Sequence, residues 1–205
     1  MIGILKYRAG NLASVSNALE RLNAEYIITD DKDRLDRCKA VIFPGVGHAV
    51  PAMNDLRDRK LDVWLKNTTK PVLGICLGMQ LLFEETEEGS CETLGIIPGK
   101  LLKFRPGTAK IPHMGWNRFN ILKEHPLLQG FSGDPFFYYV HSYYAPVSRH
   151  TIASCNYTLD FSAVAARNNY TGVQFHPEKS GGAGALLLKN FLNIIQKSDE
   201  QNNAQ

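Results

Sequence analysis

Residues 71–80 read PVLGICLGMQ, a short apolar run that enters a helical pattern with no linker between them. The passage centres on Cys76, with Gly74 two residues before it and Gly78 two residues after. In so sharp a turn those two positions nearly touch, and glycine removes the side chains that would collide. The spacing is the cysteine form of the G-x-S-x-G elbow, which holds a nucleophile where a strand turns into a helix. A bare cysteine in an apolar stretch reads as core; glycine at both required offsets reverses that reading for Cys76.

The segments upstream fit the same architecture. Ile2–Tyr7 reads as a strand, and Asn11–Leu22 as a helix with Leu12, Val15, Leu19 and Leu22 at helical spacing. Tyr26–Thr29, Ala40–Phe43 and Pro71–Ile75 read as further strands, with a helix from about Val50 to Lys66 before the last. Such alternation predicts a parallel sheet with crossover helices on both faces.

Beyond Leu94 the pattern changes. Leu101–Phe104, Phe136–Val140, Thr151–Cys155, Ala163–Ala166 and Gly172–Phe175 are short strand-like runs between turn residues. A last helix is expected over about Ala183–Gln196. The predicted fold class is α/β, a mostly parallel central sheet flanked by helices with additional antiparallel strands. The 205 residues suit one domain over 1–196, with 197–205 expected to form a disordered tail.

Composition excludes several functions. A formal charge of +3, with Lys and Arg scattered, argues against a nucleic-acid partner. The opening apolar run is too short for a signal-peptide core or a membrane span, so no membrane association is expected. Cys38, Cys76, Cys91 and Cys155 form no CxxC pair and no Cys/His cluster of zinc spacing, so no metal is expected. They read as reduced thiols of a cytoplasmic protein, one of them reactive.

A reactive thiol needs a base and an oxyanion hole. At the N-terminus of the helix after the elbow, the dipole and free backbone N–H groups favour a thiolate. His176, in TGVQFHPEKS, follows a strand that Pro177 ends. That places it at the C-terminal sheet edge, where Cys76 must also lie. Glu178 can turn back and orient the imidazole, as the acid of a triad does. An isolated HPE triplet reads as a surface turn; its pairing with the elbow gives it weight. Pro44-Gly45-Val46-Gly47 follows a strand, and its backbone can approach an oxyanion together with the Leu77 N–H. The alternatives for this segment are a plain loop or a nucleotide loop; the absence of a full GxGxxG argues against a dinucleotide site.

Elbow, PGVG loop and HPE triplet, in that order, resemble a class I (triad) glutamine amidotransferase over about residues 1–196. PHMGWN (Pro112–Asn117), the extension to HPEKS and FYYVHSYY (Phe137–Tyr144) are similar to the glutaminase subunit of imidazole glycerol phosphate synthase. The resemblance implies that Cys76 attacks the glutamine carboxamide, His176 shuttles the proton and Glu178 orients His176. It implies that Gln80 and Glu88 hold the amino-acid end of glutamine, helped by the backbone of Gly45, Ser142 and Tyr143, with Val46 and Leu77 as oxyanion donors. No metal or organic cofactor is implied. Ammonia would pass to a separate (β/α)8-barrel cyclase, forming a heterodimer that makes imidazole glycerol phosphate and AICAR in histidine biosynthesis. Trp116 and Lys179 are candidates for that interface; the alternatives are a core tryptophan and a solvated lysine.

One stretch departs from the family pattern. Where the family has Asp-Tyr-Gly-x-Gly-Asn, this chain has Lys6-Tyr7-Arg8-Ala9-Gly10-Asn11. The turn and an Asn11 helix cap are expected to survive, and the change is expected to affect a loop contact rather than the triad.

Overall fold

The computed structural model describes residues 1–203 except 106, 108, 133 and 134, with backbone alone from 196 onward. The chain opens with β1 (Ile2–Leu5), α1 (Leu12–Arg21), β2 (Tyr26–Thr29), α2 (Lys32–Asp36) and β3 (Ala40–Gly45). Two helices follow, α3 (Ala49–Asp58) and α4 (Leu61–Asn67), then β4 (Val72–Cys76) and α5 (Leu77–Leu81). Three short strands come next: β5 (Glu85–Thr86), β6 (Cys91–Glu92) and β7 (Lys100–Lys103). Then come β8 (His113–Arg118), β9 (Asn120–Ile121), β10 (Phe136–His141) and β11 (Tyr143–Tyr144). The chain finishes with β12 (Thr151–Tyr157), β13 (Leu159–Arg167), β14 (Tyr170–Val173) and α6 (Gly181–Asn203).

Among the described residues the main sheet has the order β2-β1-β3-β4-β14-β13-β12-β9. The pairs from β2 to β14 are parallel, and those from β14 outward to β9 are antiparallel. Every residue of β1, β3, β4 and β14 is buried, as parallel strands covered on both faces require. Their period of two sends alternate side chains to two cores. Ile4, Ile42 and Ile75 meet Val15 and Leu19 of α1 and Leu187 and Phe191 of α6. Leu5, Val41 and Phe43 meet Met53, Leu56, Leu65 and Leu81 on the other face.

The α/β expectation holds, with local differences. The helix expected over Val50–Lys66 is two helices, because Lys60 takes a left-handed conformation (φ 55°) that stops α3. The break lets Leu56, Leu61 and Leu65 all bury completely. The strand expected at Ala40–Phe43 continues to Gly45, which pairs with Cys76. The last helix starts at Gly181 and its backbone runs to Asn203, into the segment expected as a tail, where no glycine or proline follows to stop it. Residues 204–205 lie outside the described residues. All of PHMGWN but its proline lies in β8, which pairs with β10 apart from the main sheet.

Candidate active site

The C-terminal ends of β3, β4 and β14 converge, which is where ligands bind in open α/β sheets. Gly45 lies opposite Cys76, and Val173 opposite Ile75, so Gly45, Cys76 and His176 come to one edge. Cys76 itself has φ 53° and ψ −109°, a strained backbone held by its surroundings. A Cβ on Gly74 would stand 2.8–2.9 Å from the backbone of Gly78 and Met79, as the elbow spacing predicts. Gly78 is needed for a different neighbour: a Cβ there would sit 1.8 Å from the Phe43 carbonyl oxygen. The elbow is therefore pressed against β3. The helix it opens, α5, has only five residues, so Cys76 faces a few free N–H groups rather than a long dipole.

His176 and Glu178 meet as predicted. His176 Nδ1 and Glu178 Oε1 are 2.7 Å apart, both side chains buried. The turn bearing them is tied down by Ser180, whose Oγ donates to the His176 carbonyl at 2.6 Å and accepts from the Tyr138 N–H at 3.0 Å. The His176 N–H also donates to the Tyr138 carbonyl at 2.9 Å. His176 Nε2 is buried with no hydrogen-bond partner. Burial alone would lower this imidazole's pKa. The nearby Cys76 sulfur and the Glu178 carboxylate outweigh burial and push it up to about 10. The ring thus stands between a sulfur and a carboxylate, both of which favour its protonated form.

A cavity of about 470 Å³ opens beside them, large enough for an amino-acid-sized ligand. Cys76, Leu77, Val46, Gln80, Glu88, Ser142, Tyr143 and His176 line it, with Lys103 and His141. Of the residues named from sequence, these all come together. Several arrive already engaged. Gln80 Nε2 donates to the Tyr143 carbonyl and to Gln174 Oε1, each at 3.1 Å. Glu88 accepts from the Ala49 N–H at 2.7 Å, capping α3, and meets His48 Nδ1 at 3.0 Å.

The oxyanion expectation needs correction at one donor. The Val46 N–H donates to the Ala9 carbonyl at 2.6 Å, so it is not aimed at a ligand in this structure. Leu77 heads α5, where the backbone N–H has no partner within the helix. The N-terminal loop also differs from expectation. Asn11 makes no side-chain cap on α1; its Nδ2 instead donates to Glu178 Oε1 at 3.4 Å. The loop that departs from the family pattern therefore touches the triad and the PGVG segment. Tyr7 is buried there with its hydroxyl unpartnered, and a Cβ on Gly45 would lie 2.5 Å from that oxygen.

Sequence reasoning missed Gln174. Fully buried, it accepts from Gln80 and points Nε2 at Cys76 Sγ, 3.9 Å away. Its position two residues before His176, in the bend that follows β14, was a usable signal. Trp116 is not core: it is 56% exposed, beside Met114, which is 61% exposed. The Trp116 ring meets Tyr138 edge-on at 6.0 Å, and Lys179 Nζ stands 6.0 Å from the same Tyr138 ring. Among the described residues no group of three or more His, Cys, Asp or Glu could hold a metal ion, and the four cysteines are buried and free. No described helix is long and apolar enough to cross a membrane.

A buried His–carboxylate pair beside a strained cysteine elbow agrees with what the whole sequence matches. The profile of glutamine amidotransferase class-I covers residues 7–195. The chain belongs to the class-I glutamine amidotransferase family. Among its relatives is the imidazole glycerol phosphate synthase subunit HisH of Bacteroides fragilis (strain YCH46), 47% identical over 94% of this chain and 99% of that protein. The proteins of the same name from Pasteurella multocida (strain Pm70) and Haemophilus influenzae (strain Rd) are 44% and 46% identical, each over 95% of this chain and 98% of theirs. A solved glutamine amidotransferase superposes with TM-score 0.74 at 17% identity, covering 95% of this chain and 98% of that one. PurLQS from Thermotoga maritima gives 0.69 at 20% identity, with the same coverage. At such identities the two structures speak for the fold alone.

Proposed function

We propose that this amidotransferase is the glutaminase subunit of imidazole glycerol phosphate synthase. Near-full-length identity to the HisH proteins supports the assignment, and the buried His176–Glu178 pair beside Cys76 carries the chemistry. The Cys76 thiolate attacks the glutamine carboxamide carbon, and the carbonyl oxygen takes the charge. Imidazolium His176 gives its Nε2 proton to the leaving nitrogen, the C–N bond breaks, and ammonia and a γ-glutamyl thioester remain. Water then attacks the thioester carbon while neutral His176 takes its proton. The C–S bond breaks, releasing glutamate and restoring the thiolate and imidazolium. No metal or organic cofactor enters this cycle. Glu88 and Gln80, with the backbone of Gly45, Ser142 and Tyr143, hold the amino-acid end.

Ammonia passes to a (β/α)8-barrel cyclase that forms the other half of a cytoplasmic heterodimer. The docking face we assign is the apolar patch of Met114, Trp116 and Tyr138 with Lys179. Its support is exposure combined with closeness to the triad, since Tyr138 is bonded through its backbone to His176. Exposed aromatic side chains of this kind are common interface anchors. The isolated chain is slow because the Val46 N–H is bonded to Ala9; docking frees it to join Leu77 as an oxyanion donor.

The test is ammonia release from glutamine by the chain in complex with its cyclase. Cys76→Ala should abolish it, while alanine at Cys38, Cys91 or Cys155 should leave turnover intact in folded protein. Full activity in Cys76→Ala would refute the proposal.

A further inference from the structure

At the wall of the glutamine pocket lies a histidine pair that the thioester chemistry does not use. His113 on β8 and His141 on β10 are direct cross-strand partners, both buried. His113 Nδ1 is 3.0 Å from His141 Nε2. His141 Nδ1 is 2.8 Å from the Tyr143 carbonyl, and His113 Nε2 is 3.3 Å from Asn117 Nδ2, which also donates to the Asn156 carbonyl at 3.0 Å.

The proton positions follow one from another. A carbonyl only accepts, so the proton of His141 sits on Nδ1, and its Nε2 offers a lone pair. His113 must then donate from Nδ1, which leaves its Nε2 to accept from the Asn117 amide. Both rings are neutral, since a second proton on His141 would set two donors against each other. Burial holds them so: His113 is lowered to about 4 and His141 to about 3. Packing fixes the ring planes. Tyr157 stacks on the His113 ring at 3.9 Å and Tyr139 stacks on the same ring at 4.8 Å. Phe161 meets His141 edge-on at 5.1 Å.

The receiving end is in the pocket. The Tyr143 carbonyl accepts hydrogen bonds from His141 Nδ1 and Gln80 Nε2, and both Ser142 and Tyr143 line the cavity. We infer that His113 and His141 form a one-way hydrogen-bond relay that positions the Ser142–Tyr143 backbone for the amino-acid end of the substrate. They are positioning residues: His141 forms part of the pocket wall, His113 stands behind it, and both act through Tyr143. This rests on the glutaminase reading for the identity of the substrate, and on the geometry alone for the relay.

Two measurements test it. Long-range ¹⁵N–¹H NMR on the full chain should find both rings as neutral Nδ1–H tautomers. An Nε2–H tautomer on either ring would overturn the relay, whatever the substrate. In the complex with the cyclase, His141→Leu keeps an apolar filler but leaves the Tyr143 carbonyl without that donor. KM for glutamine should rise about tenfold with kcat nearly unchanged, and His141→Asn, which restores a donor near the Nδ1 position, should recover most of the loss. The half-buried Asn117→Asp gives a route that leaves both rings in place. Its carboxylate draws the His113 proton to Nε2, sets two lone pairs against each other and should also raise KM at pH 8. Unchanged KM in folded His141→Leu and Asn117→Asp would overturn the proposal. Wild-type protein inactive on glutamine, with the tautomers as stated, would refute the glutaminase reading and leave the relay standing.

Discussion

The turn after β4 and the turn after β3 lie side by side, joined where Gly45 pairs with Cys76, yet they are held in opposite ways. The Cys76 turn is buried, and its glycines abut backbone: Gly74 against Gly78 and Met79, Gly78 against Phe43. The turn through Val46 and Gly47 is open, with Val46 39% exposed and nothing within 4 Å of a Cβ placed on Gly47. The nucleophile end is thus fixed by close packing. At the oxyanion end the Val46 N–H is bonded to the Ala9 carbonyl, a contact that a modest change of backbone can exchange. The proposed switch of the oxyanion donor rests on this contrast.

The largest expected effect falls on the fixed side. His176→Ala should cost on the order of 10³–10⁴ in glutamine turnover, because both proton transfers pass through that ring. Glu178→Gln should cost less, since Ser180 and Tyr138 still hold the turn. Steady-state rates on the complex check both, and equal loss in the two variants would mean that Glu178 does more than orient.

Packing contrasts the two turns more directly. Gly78→Ala forces a methyl onto the Phe43 carbonyl and should destabilise by about 3 kcal/mol or more. Gly47→Ala has open space and meets only the strain of its φ of 96°, about 1 kcal/mol. Urea unfolding of the two variants measures the gap, and equal losses would break the comparison.

The gentlest effect is on pH dependence. His113 and His141 have folded pKa values below the ordinary 6.5, so the unfolded chain binds protons more readily than the folded one. Their contribution is fully present above pH 6.5 and is lost as pH falls toward 4. His176, raised to about 10, works the other way: its contribution is present below pH 6.5 and lost as pH rises through 10. Thermal melts of wild type and His141→Leu should diverge at neutral pH and converge toward pH 4.

The two turns also differ in how far the sequence reveals them. The elbow is a local pattern, so Gly74, Cys76 and Gly78 announce it, and the HPE triplet places His176 and Glu178 within two residues of each other. The parallel strands are equally plain, because burial on both faces demands unbroken apolar runs. What escaped depends on partners far along the chain. Nothing local to Val46 says that Ala9 takes its N–H, or that Asn11 reaches Glu178 in place of capping α1. The relay of His113 and His141 exists only once β8 and β10 pair, and β8, with its interrupted apolar pattern, did not read as a strand.

In the isolated chain His176 and Glu178 are already paired beside Cys76, whereas the Val46 N–H is bonded to Ala9. Glutamine turnover by the purified chain, alone and then bound to its cyclase partner, separates the two states. An acceleration on the order of 10²–10³, the worth of one oxyanion donor, is the predicted result. An isolated chain that already turns over glutamine at the rate of the complex would contradict the account.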